Sequence, residues 1–299
     1  MAETDAAVSL ASAVTHFHDH GYVVLPAYLS DAVLSPAQGE LGLLFPTPED
    51  YHAGRDPERN ARFAGGAFAG VDPFPYAAVE WSLLGLCPDI VELAESLLGT
   101  SAIRLYEAHN WAKYGGATDY DQPLHRDFFN HSMVVPTSDP GFSEVEMFIY
   151  IHDVPVECGP TYVVSQQHTA KLPPVAGHLS RETQSEVYRH EAAADGPAGT
   201  VLAYKTDTFH RGGEITDPLG SRFVLKVSFR TISDIWFDKL GLSERLNRRE
   251  WRRFVERATP RQLELVGFPP RGHRYWTEDT WTATAARYQK ADLSAFRPE

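Results

Sequence analysis

The stretch Pro123-Leu124-His125-Arg126-Asp127 places an imidazole and a carboxylate two residues apart in a segment with an extended composition. Side chains at positions i and i+2 of a β-strand leave the same face, so His125 and Asp127 can reach one metal ion while Arg126 turns away. Two histidines and one carboxylate on one face of an octahedral Fe(II) ion leave three positions for a cosubstrate and dioxygen. Because the pattern alone also fits a surface turn with a salt bridge, a second histidine is needed.

The second histidine in this interpretation is His210. It follows a predicted strand and precedes a Gly-Gly turn that lets the backbone approach an ion closely. Arg222 lies shortly afterwards, at the start of an alternating strand, where its guanidinium can bind the far carboxylate of a metal-bound 2-oxo acid. Lys226 and Arg230 share the face of Arg222 and are the alternatives. Proximity to His210 favours Arg222.

Short predicted strands separated by Gly and Pro turns occupy about residues 102–231, which indicates a sandwich or barrel rather than a parallel α/β sheet. The run Val145 to Asp153 has one apolar face and one mixed face, and the mixed face could line a polar cavity. Helices are predicted at about 6–20, 31–44 and 88–98, with a strand at 22–25.

Two segments lack a clear period and are predicted to be loops, and together with the C-terminal tail they are the candidates for substrate selectivity. One is residues 47–75, rich in Gly, Pro and Arg, and the other is the polar connection 166–197. Beyond Ser233 the pattern is helical, with a capping signal at Thr259 and another short helix predicted after Thr277, and its tryptophans predict packing against the rest of the molecule.

The composition excludes several classes of function. The chain has 299 residues and a formal net charge of −13, which disfavours nucleic acid and anionic membranes as partners. Cys87 and Cys158 form no CxxC pair and indicate thiols of a reducing compartment. Since neither a leader pattern nor an apolar run of membrane-spanning length is visible, we expect a cytoplasmic location.

Several segments together resemble the phytanoyl-CoA dioxygenase branch of the Fe(II)/2-oxoglutarate oxygenases. Gly21 to Pro26 resembles the N-terminal strand of that family, and Pro123 to Asp127 its ligand run. Asp153 to His168 is similar to another family segment but departs from it at Gln166 and Gln167, and Gly199 to Gly213 resembles the strand and turn of the distal histidine. The resemblance spans roughly residues 15–231 and excludes the region after Ser233.

The resemblance implies a mainly β fold, a double-stranded β-helix (jelly-roll, cupin-type) barrel with flanking N-terminal helices and a helical C-terminal extension. We expect one domain over residues 1–299, with a barrel core at about 101–231 and the extension at about 233–299. It implies His125, Asp127 and His210 as iron ligands and catalytic residues, and Arg222 as the clamp for 2-oxoglutarate. Further cosubstrate contacts are predicted from Glu107, His109 and Lys113. A serine of some family members is Gly212 here, so that contact must be absent or come from elsewhere.

The expected activity is hydroxylation of an unactivated C–H bond of a small molecule, with Fe(II), 2-oxoglutarate and O2 as cofactor and cosubstrates and with release of succinate and CO2. Desaturation, epimerisation and ring formation stay open, whereas Asp127 argues against a halogenase. A cupin-type binding module without turnover is the rival from another class. The oligomeric state, monomer or dimer, and the substrate are left open. Candidates for the substrate pocket are Phe128, Phe129, His131, Tyr150 and His168.

Overall fold

The computed structural model of the chain describes residues 9–65, 69–117, 120–128, 140, 143–173, 176–232 and 248–298. Its strands are β1 (Tyr22–Leu25), β2 (Asp72–Pro73), β3 (Ile103–Tyr114), β4 (Leu124–His125), β5 (Glu144–Tyr150), β6 (Thr161–Val164), β7 (His178–Leu179), β8 (Glu191–Ala193), β9 (Val201–Lys205), β10 (His210–Gly212) and β11 (Ser221–Thr231).

The helices surround these strands at both ends of the chain. They are α1 (Leu10–His20), α2 (Asp31–Gly39), α3 (Leu41–Leu44), α4 (Pro48–His52), α5 (Pro57–Ala61), α6 (Val79–Leu84), α7 (Pro88–Leu98), α8 (Gln166–Thr169), α9 (Ser185–Tyr188), α10 (Arg249–Arg257), α11 (Pro260–Leu265) and α12 (Glu278–Arg287). Two short 3-10 turns lie at Val156–Cys158 and Ser294–Phe296.

Two antiparallel sheets form the centre of the molecule. The larger has the order β1-β9-β5-β11-β3-β2 and the smaller the order β7-β4-β10-β6-β8. An apolar cluster that includes Tyr150, Val163 and Tyr204 packs between them. Apart from β2 and β3, strands that are neighbours in a sheet are not neighbours in sequence, as in a jelly roll, and the predicted fold class is confirmed.

The larger sheet has two chemically different faces because side chains alternate along each strand. On β11, Phe223, Leu225, Val227 and Phe229 belong to the main apolar core, which also contains residues of the N-terminal and C-terminal helices. The opposite face of β11 carries Arg222 and Lys226 toward a cavity between the sheets. The predicted alternation of this strand is confirmed.

Local sequence signals explain several helix ends. α7 begins at Pro88 and ends at Leu98, and the next residue, Gly99, has a φ of 68°, a left-handed conformation that glycine adopts without a Cβ clash. Thr259 caps α11 in a capping box with Gln262, as predicted. The predicted helix 31–44 is broken instead, because α2 ends at Gly39 and α3 begins at Leu41.

The two predicted loops contain regular structure, which corrects the sequence-based interpretation. Residues 47–75 include α4, α5 and the short strand β2, which pairs with the edge of β3. Residues 166–197 include α8, α9, β7 and β8. These elements are too short to produce a visible hydrophobic period, and the short strands β2, β7 and β8 form only by pairing with β3, β4 and β6.

The C-terminal segment packs against the helical layer. Trp251 is buried and donates a hydrogen bond through its indole to Tyr288 Oη, and Arg261 pairs with Glu95 of α7. Trp276 is also buried, whereas Trp236 lies outside the described residues. Within the described ranges, no helix combines the length and the apolar character needed to cross a membrane.

Candidate metal centre and its cavity

The two strands β4 and β10 bring the predicted ligands together. They pair antiparallel with His125 directly opposite His210, and Asp127 lies two residues beyond the end of β4. Each of the three residues offers one ligand atom, and these atoms lie within 4.8 Å of one another. The Nε2 atoms of His125 and His210 lie 3.8 and 3.5 Å from carboxylate oxygens of Asp127. The three side chains can therefore hold one metal ion.

Backbone carbonyls set the tautomers of both histidines. His125 Nδ1 lies 2.9 Å from the carbonyl oxygen of Pro123, and His210 Nδ1 lies 3.1 Å from that of Thr208. Because a carbonyl can only accept, each Nδ1 must carry the proton and donate. Both Nε2 lone pairs then point to the common centre, as metal-binding imidazoles require.

Burial keeps His210 neutral. Burial is the main cause that lowers the pKa of His210 to about 4. The nearby Asp127 carboxylate raises this pKa, and His125 lowers it further. A neutral imidazole is the form that binds a metal, so His210 needs to lose no proton at neutral pH.

Asp127 is held in place by two buried side chains that sequence reasoning did not select for this role. Tyr204 Oη donates to Asp127 Oδ2 over 2.8 Å, and Lys226 Nζ lies 3.3 Å from the same oxygen. Lys226 also pairs with Glu146 at 3.0 Å. Burial alone would lower the pKa of Lys226, but Asp127, Glu146 and Glu107 outweigh it and raise the pKa. The carboxylate therefore has a fixed orientation before any metal binds.

Arg126 turns away from the ligand pair, as the strand period predicts. Its guanidinium lies 4.1 Å from the centre of the Phe209 ring and donates to the carbonyl oxygen of Pro173. Arg126 thereby anchors the ligand strand to the segment before β7.

The metal ligands open into a cavity of about 550 Å³ between the two sheets. This volume is within the range of small-molecule sites. Its walls are formed by Val71, Glu107, His109, Trp111, Lys113, Tyr120, Gln122, Pro123, His125, Asp127, Phe148, Thr161, His178, His210, Gly212, Arg222 and Lys226.

Arg222 is the lining cation that fits a ligand carboxylate. It is 3% exposed, and its Nη1 donates a short hydrogen bond to the carbonyl oxygen of Gly159. Its buried Nε has no hydrogen-bond partner, and no carboxylate of the described residues forms an ion pair with it. Burial lowers the pKa of Arg222 from its usual value. A buried guanidinium without a counter-ion is costly unless an anion binds it, so the arrangement fits the far carboxylate of 2-oxoglutarate.

Lys113 lies directly opposite Arg222 in the pairing of β3 with β11. Its Nζ donates to the carbonyl oxygens of Tyr120 and Gly213, both at 3.1 Å. At Gly212, a Cβ would meet Gln122 Oε1 at 2.8 Å, so the space of the family's serine is taken by this carboxamide. Gln122 accepts from the amide nitrogen of Gly212.

Glu107 and His109 line the same cavity but lie further along β3. The carboxylate of Glu107 is 2.7 Å from His109 Nδ1. His109 is opposite Lys226 and Glu107 is opposite Ser228, so neither is at the level of Arg222.

The residues predicted for the substrate pocket lie in different places. Tyr150 is fully buried and its hydroxyl accepts from the amide nitrogen of Thr161. Phe128 is buried beside Asp127, and His168 stacks on His190 at 3.8 Å; none of these three lines the described cavity. Phe129 and His131 lie outside the described residues.

Several lining residues were not selected by sequence reasoning. Trp111 shares the face of His109 and Lys113, and Phe148 is on the mixed face of β5, so the two-residue period could have found both. His178 is opposite His125 through the pairing of β7 with β4, with 5.9 Å between ring centres. No local signal pointed to it, because β7 has only two residues.

Comparisons with known proteins agree with this geometry. A family model described as "Phytanoyl-CoA dioxygenase (PhyH)" matches residues 17–222. A search of curated protein sequences found no significant match.

Solved structures share the fold. EctD from S. alaskensis, determined with 2-oxoglutarate and 5-hydroxyectoine, is 21% identical, with a TM-score of 0.55 over 78% of this chain and 80% of that chain. HygX from Streptomyces hygroscopicus, with nickel and 2-oxoglutarate bound, is 16% identical, with a TM-score of 0.53 over 76% and 87%. The 2-oxoglutarate-dependent epimerase SnoN of nogalamycin biosynthesis is 21% identical, with a TM-score of 0.51 over 74% and 81%.

The cofactors expected from the sequence fit this site. Two imidazoles and one carboxylate with open positions are the donor set of Fe(II) oxygenases, and Arg222, which has no described carboxylate partner, fits the cosubstrate. The family match covers more than half of the chain. The chain therefore belongs to the phytanoyl-CoA dioxygenase (PhyH) family of iron- and 2-oxoglutarate-dependent oxygenases.

Proposed function

We propose that this protein is a 2-oxoglutarate-dependent dioxygenase that hydroxylates a C–H bond of a small molecule. The observation that carries the proposal is Arg222, a buried cation that faces the cavity without a described counter-ion. A dicarboxylate that binds the metal at one end places its other carboxylate on this guanidinium.

His125, Asp127 and His210 are the proposed iron ligands. The tautomers of the two histidines need no change when a metal binds, because both Nδ1 atoms donate to backbone carbonyls and both Nε2 atoms are available. Tyr204 and Lys226 hold the carboxylate of Asp127, so the donor set keeps its geometry when substrate enters or leaves.

Arg222 is the proposed cosubstrate clamp, with Lys113 beside it as a second cation. The two other cations on the same face of β11 already have carboxylates. Lys226 pairs with Asp127 and Glu146, and Arg230 with Glu144. Arg222 is therefore favoured over both alternatives for a reason of charge as well as position.

Iron bound at this site supplies the redox chemistry that couples decarboxylation of 2-oxoglutarate to oxidation of a substrate C–H bond. The chain orients the cosubstrate and the substrate and provides an apolar part of the cavity wall. Trp111 and Phe148, whose rings meet edge to face at 5.4 Å, form an apolar part of the lining. An apolar wall beside fixed cations excludes bulk water from the reacting group.

Epimerisation and ring formation are alternatives, since the solved neighbours include an epimerase and a carbocyclase. Product analysis separates them. Hydroxylation adds one oxygen from dioxygen, epimerisation leaves the mass unchanged, and ring formation or desaturation removes two hydrogens. Incorporation of labelled oxygen from O2 into the product supports the hydroxylase proposal, and its absence contradicts it.

The oxygenase assignment has a test that needs no substrate. Protein mixed with Fe(II) and 2-oxoglutarate without oxygen should develop the weak visible charge-transfer band of the chelate. Admission of O2 should then release succinate slowly. Absence of both the band and succinate would instead favour a cupin-type binding module. A small molecule as partner and a cytoplasmic location belong to the same proposal, the latter because Cys87 and Cys158 are free thiols.

A further inference from the structure

The cavity has two chemically different ends. Lys113 and Arg222 are opposite each other at one end, and Glu107 and Ser228 are opposite each other six residues further along both strands. At roughly 3.3 Å per residue, the two levels are about 20 Å apart. His109 and Lys226 lie between them, and Lys226 contacts the metal ligand Asp127. His109 is therefore level with the metal ligands, and Glu107 lies beyond it on the side away from the cosubstrate clamp.

Glu107 determines which nitrogen of His109 faces the cavity. The carboxylate, whose side chain is 4% exposed, lies 2.7 Å from His109 Nδ1, which consequently carries a proton and donates. The ring itself is 27% exposed and lines the cavity. His109 Nε2 has no hydrogen-bond partner among the described residues, and it is the polar atom that this ring can offer to a ligand.

The surroundings of His109 favour a neutral hydrogen-bond donor over a cation. The carboxylates beside His109 already have partners, Glu107 in His109 itself and Glu146 in Lys226, so neither offers an unpaired counter-ion to a ligand cation. Trp111, two residues along the same face, adds an aromatic surface that packs against an apolar skeleton. A hydroxyl group on an apolar ring or chain fits both features, because the hydroxyl donates to His109 Nε2 and the apolar part packs on Trp111.

Building on the oxygenase function proposed above, we propose that Glu107 and His109 form a hydroxyl-binding site for the substrate. His109 Nε2 accepts a hydrogen bond from a substrate hydroxyl and so fixes which C–H bond faces the metal. Glu107 is a positioning residue that holds the tautomer and orientation of His109. The substrate class is a hydroxylated, partly apolar small molecule.

The test uses binding rather than turnover. Protein loaded with Zn(II), a redox-inert stand-in for iron, and 2-oxoglutarate is titrated with three matched probes, followed by fluorine NMR. The probes are 4-fluorophenethyl alcohol, its methyl ether and 4-fluorophenethylamine. The alcohol should bind most tightly. His109→Phe keeps the ring but removes the acceptor, so the alcohol should lose about tenfold in affinity while the ether changes little.

Two further variants sharpen the test. Glu107→Gln should reduce the preference for alcohol over ether by less than His109→Phe does, because an amide oxygen can still accept from Nδ1. His168→Phe removes a histidine that does not line the described cavity and should leave all three affinities unchanged. A merely structural role of Glu107 would weaken all probes equally and contradict the proposal.

The outcomes separate this inference from the oxygenase assignment. Equal binding of the three probes to wild type, tighter binding of the ether or amine, or a preference that survives His109→Phe overturns the hydroxyl site. The Fe(II) chelate band is measured in parallel and should persist in His109→Phe. Loss of the band in wild type would overturn the oxygenase assignment itself, whereas a normal band with no alcohol preference overturns only the hydroxyl site.

Discussion

The two faces of β11 are equally buried but hold different kinds of residue. Leu225 is fully buried in the main apolar core, and its neighbour Lys226 is only 5% exposed on the cavity side. The apolar face stabilises the protein through area removed from water. The polar face is tolerable only where each charge meets a partner, and the one guanidinium without a described carboxylate, Arg222, faces the cavity. Because both faces are buried, burial alone does not distinguish the apolar core from the candidate site; the polarity of the buried residues does.

The largest expected effect is at the metal ligands on the cavity side. Asp127→Ala removes the only carboxylate of the proposed donor set, so metal affinity should fall at least about 100-fold and succinate formation should fall to background. Calorimetric titration of the metal measures this. Because Asp127 lies on the cavity side and not in the apolar core, the metal-free variant should keep its fold, as measured by circular dichroism. Retained turnover would refute the ligand assignment.

Arg222→Gln should produce the next largest effect. Loss of a buried charge that pairs with a ligand costs about 2 to 5 kcal/mol, which is at least about 30-fold in affinity for 2-oxoglutarate. Without ligand, the variant should be no less stable than wild type, because an uncompensated buried charge is removed. Binding of 2-oxoglutarate to the Zn(II) protein and denaturant unfolding measure both quantities.

Arg230→Gln is the matched control on the same strand and face. Arg230 pairs with Glu144 and lies 3.3 Å from the centre of the Tyr106 ring. Removal of one partner of a buried pair should lower the free energy of unfolding by about 3 kcal/mol while affinity for 2-oxoglutarate changes little. The reverse result, loss of cosubstrate binding with unchanged stability, would make Arg230 the clamp.

Leu225→Ala probes the opposite face. Deletion of a fully buried leucine side chain should lower the free energy of unfolding by about 2 to 5 kcal/mol, because a cavity remains in the core. At a temperature where the variant is folded, its affinities for metal and 2-oxoglutarate should match wild type. A selective loss of cosubstrate affinity would show that the two faces are coupled.

The smallest expected effect concerns His152, a polar residue at the apolar side. It follows the end of β5, meets Phe223 at 5.5 Å between ring centres, and has a buried Nδ1 without a described partner. Burial lowers the pKa of His152, against a raising effect of Asp153. Below the ordinary pKa of 6.5 the unfolded chain therefore binds a proton that the folded chain resists, so stability falls as pH falls.

His152→Phe should make stability less dependent on pH. Unfolding midpoints of wild type and variant, compared at pH 8 and pH 5, should show the smaller decrease in the variant. An identical decrease in both proteins would show that His152 is accommodated in its charged form and that the apolar side tolerates this charge.

Local sequence patterns, such as end signals and alternation within one strand, predicted much of the fold. The strand at Tyr22–Leu25 and the helix at Pro88–Leu98 have the predicted bounds, since proline and glycine mark their ends. The alternation of β11 predicted its two faces. Elements of two to five residues, such as α4, β2 and β7, were missed because they contain too few residues for a period.

The candidate site was partly predictable for the same reason. His125 and Asp127 share a strand-like segment, and the two-residue period says that they share a face. By contrast, Tyr204 and Lys226 reach Asp127 from β9 and β11, and no local pattern indicates contacts between residues so far apart in sequence.

By itself, the sequence determined the chemical inventory: a histidine and a carboxylate on one face, a distal histidine before a Gly-Gly turn, and cations in alternation along one strand. Only the tertiary structure decided which cation lacks a described carboxylate partner and that Glu107 and His109 lie away from the clamp. The physical reason is that local geometry sets the direction of a side chain. Its partner and its electrostatic surroundings depend on strand pairing across the sheets.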